Sequence, residues 1–369
     1  MTPIPLKKIL VIKLRHHGDV LLTTALYRAL AEQFPGIQID TLIYKETTPL
    51  LQNNPRLHRI LTIDRSVKGF KRLRAELALV RQIRQTRYDA VIHLTDQWIG
   101  ALAARFSKAP KRVQMQYAKR DNALWHRSFT DRITPPERGH AHAVELNLLC
   151  LTALGVNPGS LQGKLELVPA STDLKEARSL LKQAAIEGDF VLIHPAARWP
   201  FKCWDDEKFA HIVNDLLKQG LNVVLTCSPD PVEKAMTRKI EDLTTQLVGR
   251  DVNQNSSGRG VLANWGGQVT LPKVAALLAL CRFYIGVDSA PMHMAAALDV
   301  PQVALFGPSW VQEWRPWSDR AKVIYAGDYG PLPHPDSINT DDPTRLLEAI
   351  PVDVVREEVN RLIKDTDKT

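Results

Sequence analysis

Cysteine is scarce in this 369-residue chain. Cys150, Cys203, Cys227 and Cys281 lie far apart and form no CxxC pair. That excludes a disulfide scaffold and a zinc ribbon, and it fits a reduced, cytoplasmic protein. Long apolar runs are missing as well, since none approaches the roughly 18 residues a membrane span requires. The run Ile9 to Ile12 is closed too soon by Lys13 and Arg15 to be a signal peptide. There is no GxxxxGK[ST], and no GxGxxG follows the first strand, which counts against a P-loop ATPase and a dehydrogenase. HExxH and HxxxH are absent, so no metal site is expected, and nothing calls for an organic cofactor. The one D-x-D, Asp365-Thr366-Asp367, lies in a charged tail and gives no support to a carboxylate-held cation on a diphosphate.

What is present is ordinary globular material, 44% hydrophobic, of a length that suggests two domains. The net charge of +8 is unevenly spread. Residues 1–132 hold about 24 Lys and Arg against about 10 Asp and Glu, and the remainder is net acidic. The first half therefore expects an anionic partner: nucleic acid, anionic lipid or a phosphorylated glycan. No recognisable nucleic-acid motif accompanies the charge.

The chain is organised around Phe283 to Pro308, FYIGVDSAPMHMAAALDVPQVALFGP. Phe283 to Val287 reads as a buried strand, Met292 to Leu298 as a helix with Pro291 in its first turn, and Val300 to Phe306 as the next strand. Small residues at the loop leave the first N–H groups of the helix open, a phosphate site in the making. Asp288 ends the strand where open α/β sheets bind ligands. A carboxylate repels phosphate, so it either takes ligand hydroxyls, as in a nucleotide sugar, or simply caps the helix.

The N-terminus opens in the same way. Lys7 to Leu14 is a strand, Arg15 to Asp19 its loop, Val20 to Phe34 a helix and Ile37 to Ile43 the next strand. Thr47 to Asn53 reads as a short helix and Arg59 to Ile63 as a strand. Helix 68–86 is basic, with Leu73, Leu77, Val80 and Ile83 as its apolar stripe; it is either an anion-facing surface or a solvated face. Phe129 to His142 reads as irregular, and Asn157 to Asp173 as a linker. Phe190 to His194 opens a second α/β half. Pro231 to Thr245 is helical, Leu247-Val248 a possible strand, Val252 to Gly260 a polar loop, Val323-Ile324 an edge strand and Val352 to Ile363 a closing helix. The expected architecture is α/β: two Rossmann-like, doubly wound domains facing a cleft, residues 1–170 and 171–350, with a closing helix and tail at 351–369.

Several residues have types suited to chemistry. Asp19, in the loop after the first strand, is either a general base on a sugar hydroxyl or the cap of the helix that follows. His16 and His17 are the alternative bases. Arg198, Lys202 and Lys208 surround the loop HPAARWPFKCWDDEKF, where a cation would neutralise a departing diphosphate. Trp199 and Trp204 bracket that loop. His293, one turn into the central helix, either reaches the same phosphates or packs. Trp310, Trp314 and Trp317 suit sugar stacking or core packing equally.

These segments resemble the ADP-heptose:lipopolysaccharide heptosyltransferases, GT-B glycosyltransferases of family nine, and within them the subgroup that adds the third core heptose. The resemblance rests on KLRHHGDVLLTTAL, HLTDQW, HPAARWPFKCW, the central stretch and EWRPW, in order across nearly the whole chain. Ala25 replaces a proline common in the family, and Ala290-Pro291 replaces the Gly-Leu of other subgroups. The resemblance implies inverting, metal-independent transfer of L-glycero-D-manno-heptose from ADP-heptose to the inner-core heptose of a phosphorylated heptosyl-Kdo-lipid A acceptor. It implies a cytoplasmic enzyme held peripherally at the inner membrane, with no nucleic-acid partner. By position it makes Asp19 the base and Lys202 the lysine on the donor phosphates. Asp288, Ser289, Ala290 and His293 become donor-binding, with Arg198, Glu233 and Val269 placed around the donor. His16, His17, Asp96 and Trp98 fall to the acceptor. A GT-B enzyme using another nucleotide sugar, or a non-enzymatic binder of an anionic polymer or membrane surface, is the alternative.

Overall fold

The computed structural model describes residues 6–250 and 258–367. The chain divides into two compact units, residues 1–168 and 169–369, each built on its own six-stranded parallel sheet.

In the first unit the strands are β1 (Lys8–Lys13), β2 (Gln38–Tyr44), β3 (Leu57–Ile63), β4 (Ala90–His93), β5 (Lys111–Met115) and β6 (Asp131–Ile133). The helices are α1 (His17–Leu21), α2 (Thr24–Gln33), α3 (Gly69–Thr86), α4 (Trp98–Ser107), α5 (Ala123–His126) and α6 (Ala143–Leu149). The sheet order is β3-β2-β1-β4-β5-β6. Ile9 to Ile12 and Val91 are fully buried, because helices cover both faces of a parallel sheet and its central strands become continuous apolar runs.

Several expectations are corrected here. The helix expected over 20–34 is two helices, because Thr23 and Thr24 turn their hydroxyls back on the carbonyls of Val20 (2.5 Å) and Leu21 (2.7 Å) and interrupt the ladder. Asp19 is therefore no cap; it sits inside α1, whose N-cap is His16. The helix expected over 47–53 is a 3₁₀ turn, Lys45–Leu50, with Pro49 inside it. The stretch 129–142 contains β6, paired in parallel with β5 at the sheet edge. The packing face of α3 is also rotated from the expected stripe: Leu79 and Ile83 meet the core, Val80 is half-buried, and Leu73 and Leu77 are exposed. The segment read as a linker is partly tied down within the first unit, where Glu166 donates its N–H to Thr24 Oγ1 (3.0 Å) and accepts from Arg56 (3.3 Å).

In the second unit the strands are β7 (Phe190–His194), β8 (Asn222–Leu225), β9 (Leu262–Asn264), β10 (Phe283–Val287), β11 (Gln302–Phe306) and β12 (Ala321–Tyr325). The helices are α7 (Ser171–Gln183), α8 (Asp206–Lys218), α9 (Pro231–Arg250), α10 (Leu271–Leu278), α11 (Ala290–Ala297), α12 (Val311–Trp314) and α13 (Val352–Thr366). The order is β12-β11-β10-β7-β8-β9, with β7, β10 and β11 buried along their whole length. Leu247-Val248 forms no strand. It is the end of α9, whose Met236, Ile240 and Leu247 keep helical spacing against the core. The polar loop expected over 252–260 lies for the most part outside the described residues.

Gly286 in β10 is required by close approach. A Cβ there would stand 2.0 Å from the Tyr284 hydroxyl and 2.8 Å from the His194 carbonyl.

The two orders share one property that positions the site. In each sheet the winding reverses between two neighbouring strands, β1 and β4 in the first unit and β7 and β10 in the second. The crevice beyond the carboxyl ends of such a pair is where doubly wound sheets bind ligands.

Candidate active site

In the second unit the reversal point carries a charged cluster. Asp288, immediately after β10, is buried, and its Oδ2 accepts from Lys202 Nζ (2.5 Å) and Ser309 Oγ (2.7 Å). Lys202 closes a 3₁₀ turn, Pro200–Lys202, in the loop after β7, and its ammonium lies over the Trp199 ring at 5.2 Å. Neighbouring Arg198 is exposed and lies 5.8 Å from the same ring. Trp204 is fully buried and donates to the Ile350 carbonyl, so it packs the loop rather than facing a ligand.

Ser289 is the N-cap of α11 by backbone conformation, and its side chain makes no cap hydrogen bond. Ala290 and Pro291 form the first turn, so no bulky side chain hides the leading N–H groups. The helix-capping reading of Asp288 therefore fails. Its Oδ2 is spent holding a lysine and a serine beside the helix start. An ammonium carries three donors, so the bond to Asp288 does not exhaust Lys202. His293 is buried in α11. His194, at the end of β7, contacts Thr226 Oγ1 (3.0 Å), and burial depresses its pKa to about 4, which keeps the ring neutral. Glu233 and Val269 come to the carboxyl ends of β8 and β9. Glu233 accepts from the Ser228 N–H (2.9 Å), and Val269 is buried in the loop before α10.

In the first unit, Asp19 projects from α1 with its side chain about one-fifth exposed, 3.7 Å from Lys13 Nζ at the end of β1. Lys13 is nearly buried, so an ammonium stands fixed beside the carboxylate. His16 is exposed. His17 turns away, its Nε2 3.1 Å from the Glu46 carbonyl, and burial lowers its pKa against a smaller opposing effect of Glu46. Asp96, after β4, is buried at the centre of a cationic group: Lys119 Nζ at 2.5 Å, Arg15 at 3.0 Å, and Arg120 Nε donating to its carbonyl at 2.8 Å. Burial opposes its ionisation, yet Lys119 and Arg15 outweigh it and hold the carboxyl below the usual range. Trp98 begins α4 and packs edge-on against Trp125 at 5.0 Å.

Asp19, Asp96, Lys202 and Asp288 thus all lie at the reversal point of their own sheet. Sequence reasoning missed Lys13, Arg15, Lys119, Arg120 and Ser309. The proximity of Lys13 and Arg15 to the HHGD loop was a usable signal; Lys119, Arg120 and Ser309 gave none. Among the described residues no three His, Cys, Asp or Glu side chains gather as metal donors, and no helix is long and apolar enough to cross a membrane.

Two Rossmann-like units, each with charged side chains at its reversal point, make up the α/β architecture of the GT-B class. Solved structures share the fold. A family 9 glycosyl transferase from Veillonella parvula superimposes with a TM-score of 0.77 at 23% identity, covering 98% of this chain and 99% of that one. The E. coli heptosyltransferase WaaC, solved with ADP, gives 0.71 at 18% identity, covering 96% and 99%. The model of glycosyltransferase family 9 (heptosyltransferase) matches residues 76–342, and lipopolysaccharide heptosyltransferase 3 of Escherichia coli is 35% identical over 95% of this chain and 97% of its own. The chain belongs to glycosyltransferase family 9, the heptosyltransferases.

Proposed function

We propose that this enzyme transfers L-glycero-D-manno-heptose from ADP-heptose to a heptose of the lipopolysaccharide inner core, adding the third core heptose with inversion. The observation that carries the reading is the Lys202–Asp288–Ser309 cluster beside the open start of α11. Backbone N–H groups and one oriented ammonium suit a diphosphate whose negative charge grows as the sugar departs.

The residues then take these roles. The acceptor hydroxyl attacks the anomeric carbon, and the bond from that carbon to the ADP oxygen breaks. Asp19 accepts the hydroxyl proton, with the ammonium of Lys13 3.7 Å from its carboxylate. Lys202 offsets the charge left on ADP, with Asp288 and Ser309 fixing its position. Glu233 and Val269 flank the nucleoside, and Arg198 and His293 complete the donor side. Arg15, Lys119 and Arg120, gathered by Asp96, suit a phosphorylated acceptor, with His16, His17 and Trp98 beside them. Domain roles follow: acceptor in residues 1–170, donor in 171–350, with 351–369 closing the second unit. A lipid-borne acceptor puts the enzyme on the cytoplasmic face of the inner membrane as a peripheral protein.

Thermal unfolding with ADP, UDP or GDP tests the donor, because a ligand that binds only the native state raises the melting temperature, and at equal concentration the tighter ligand raises it more. ADP alone should stabilise. Equal stabilisation by UDP or GDP would contradict the assignment of ADP-heptose.

A further inference from the structure

Helix α3 presents a face that the transfer reaction does not use. Phe70, Leu73 and Leu77 are 73%, 51% and 60% exposed. Their spacing, i, i+3 and i+7, sets them in one line along the helix. That line is turned away from Leu79 and Ile83, which seat the helix on the core. Residues 68–87 also carry Lys68, Lys71, Arg72, Arg74, Arg81, Arg84 and Arg87 against a single acid, Glu76. Arg72 pairs with Glu76 at 2.7 Å, and among the described residues no carboxylate pairs with Lys71, Arg74, Arg81 or Arg84. Helix α4 packs alongside and adds Leu102 and Phe106, both exposed and one turn apart.

We infer that α3 docks on an anionic phospholipid surface, with Phe70, Leu73 and Leu77 entering the acyl boundary and the flanking cations held at the headgroups. Charge complementarity selects this occupant. A duplex nucleic acid would meet the cations but has no use for three apolar side chains in line. A second copy would set one cationic helix against another across a symmetric interface. A bilayer with anionic headgroups satisfies both halves of the pattern. The inference rests on the lipid-borne acceptor proposed above for its purpose, but binding is read without donor or acceptor, so the two fail separately.

The test uses the full chain sedimented with vesicles of phosphatidylcholine alone or of phosphatidylcholine with phosphatidylglycerol. The wild type should bind the anionic vesicles and leave the neutral ones. Added salt should weaken the binding without abolishing it. The triple variant Phe70→Gln, Leu73→Gln, Leu77→Gln keeps the charge and a good helix former at each site, and should partition about tenfold or more weakly. A second variant, Lys71→Gln, Arg74→Gln, Arg81→Gln, should lose the preference for anionic vesicles. Both should keep the wild-type melting temperature and transfer to a lipid-free core oligosaccharide. The inference is overturned if the wild type does not bind anionic vesicles, or if the apolar triple variant binds them as well as wild type. It is equally overturned if vesicle-free wild type is a dimer that the triple variant dissolves, which would make a second copy the occupant.

Discussion

Replacing Lys202 by alanine removes the cation assigned to the leaving diphosphate. In the protein this ammonium is 15% exposed and 2.5 Å from Asp288 Oδ2, while Asp288 is 6% exposed. Two effects follow. A charge-assisted contact to the phosphates is lost, worth about 1.5–3 kcal/mol. Asp288 also stays behind as a buried carboxylate with only Ser309 to offset it, close to where a dianionic group must sit. Together these should weaken ADP by about 3 kcal/mol, roughly a hundredfold in Kd. The double variant Lys202→Ala, Asp288→Asn removes the orphaned charge and should recover part of the loss, with a coupling of about 1 kcal/mol or more between the two sites. Titration calorimetry with ADP on the wild type, both single variants and the double variant closes this cycle. An ADP affinity that Lys202→Ala leaves unchanged in a folded protein would refute the donor assignment. Strict additivity would refute the claim that Asp288 acts by holding Lys202.

Further outcomes follow from other parts of the structure. Asp19→Asn should keep ADP binding and lower turnover about 10²–10⁴-fold, and unchanged turnover would remove Asp19 as the base. Gly286→Ala forces a Cβ against the Tyr284 hydroxyl and the His194 carbonyl and should cost about 1–3 kcal/mol, read as a lowered Tm; an unshifted Tm contradicts the close packing. His93 and His194 are buried, with burial holding their pKa at about 3 and about 4. The folded chain therefore resists their protonation, and the unfolded chain, with histidines near 6.5, does not. Stability is complete above about pH 6.5 and falls at lower pH by ~1.4 kcal/mol per unit for each ring, down to about 4 for His194 and about 3 for His93. Urea unfolding between about pH 7 and 5 should show a shallower slope in His194→Gln, and an identical slope would contradict the assignment.

The strands at both reversal points were readable because burial on two faces turns them into unbroken apolar runs, as in Phe190 to Ile193 and Phe283 to Val287. Asp288, directly after β10, was placed for the same reason, and Asp19 and Lys202 lie in the short connections that leave the carboxyl ends of β1 and β7. Partners supplied by other loops were not readable. Ser309 reaches Asp288 across 21 residues, and Lys119 reaches Asp96 only because β4 and β5 are neighbours. The break between α1 and α2 was hidden because Thr23 and Thr24 fit a helical pattern, and only their hydroxyl bonds to Val20 and Leu21 show the interruption. The rotation of α3 was hidden because two apolar lines coexist on it, and spacing alone does not say which one meets the core. Leu247-Val248 failed as a strand because an apolar pair ending a long amphipathic helix carries no period of its own.

The central claim is heptose transfer, and the mass of its product tests it most directly. The purified enzyme, incubated with ADP-heptose and a series of truncated lipopolysaccharides, should add one heptose to the acceptor that already bears two inner-core heptoses, releasing one ADP per sugar added. No mass gain on any member of the series while ADP still binds would contradict the account, as would a gain from UDP- or GDP-sugars in place of ADP-heptose.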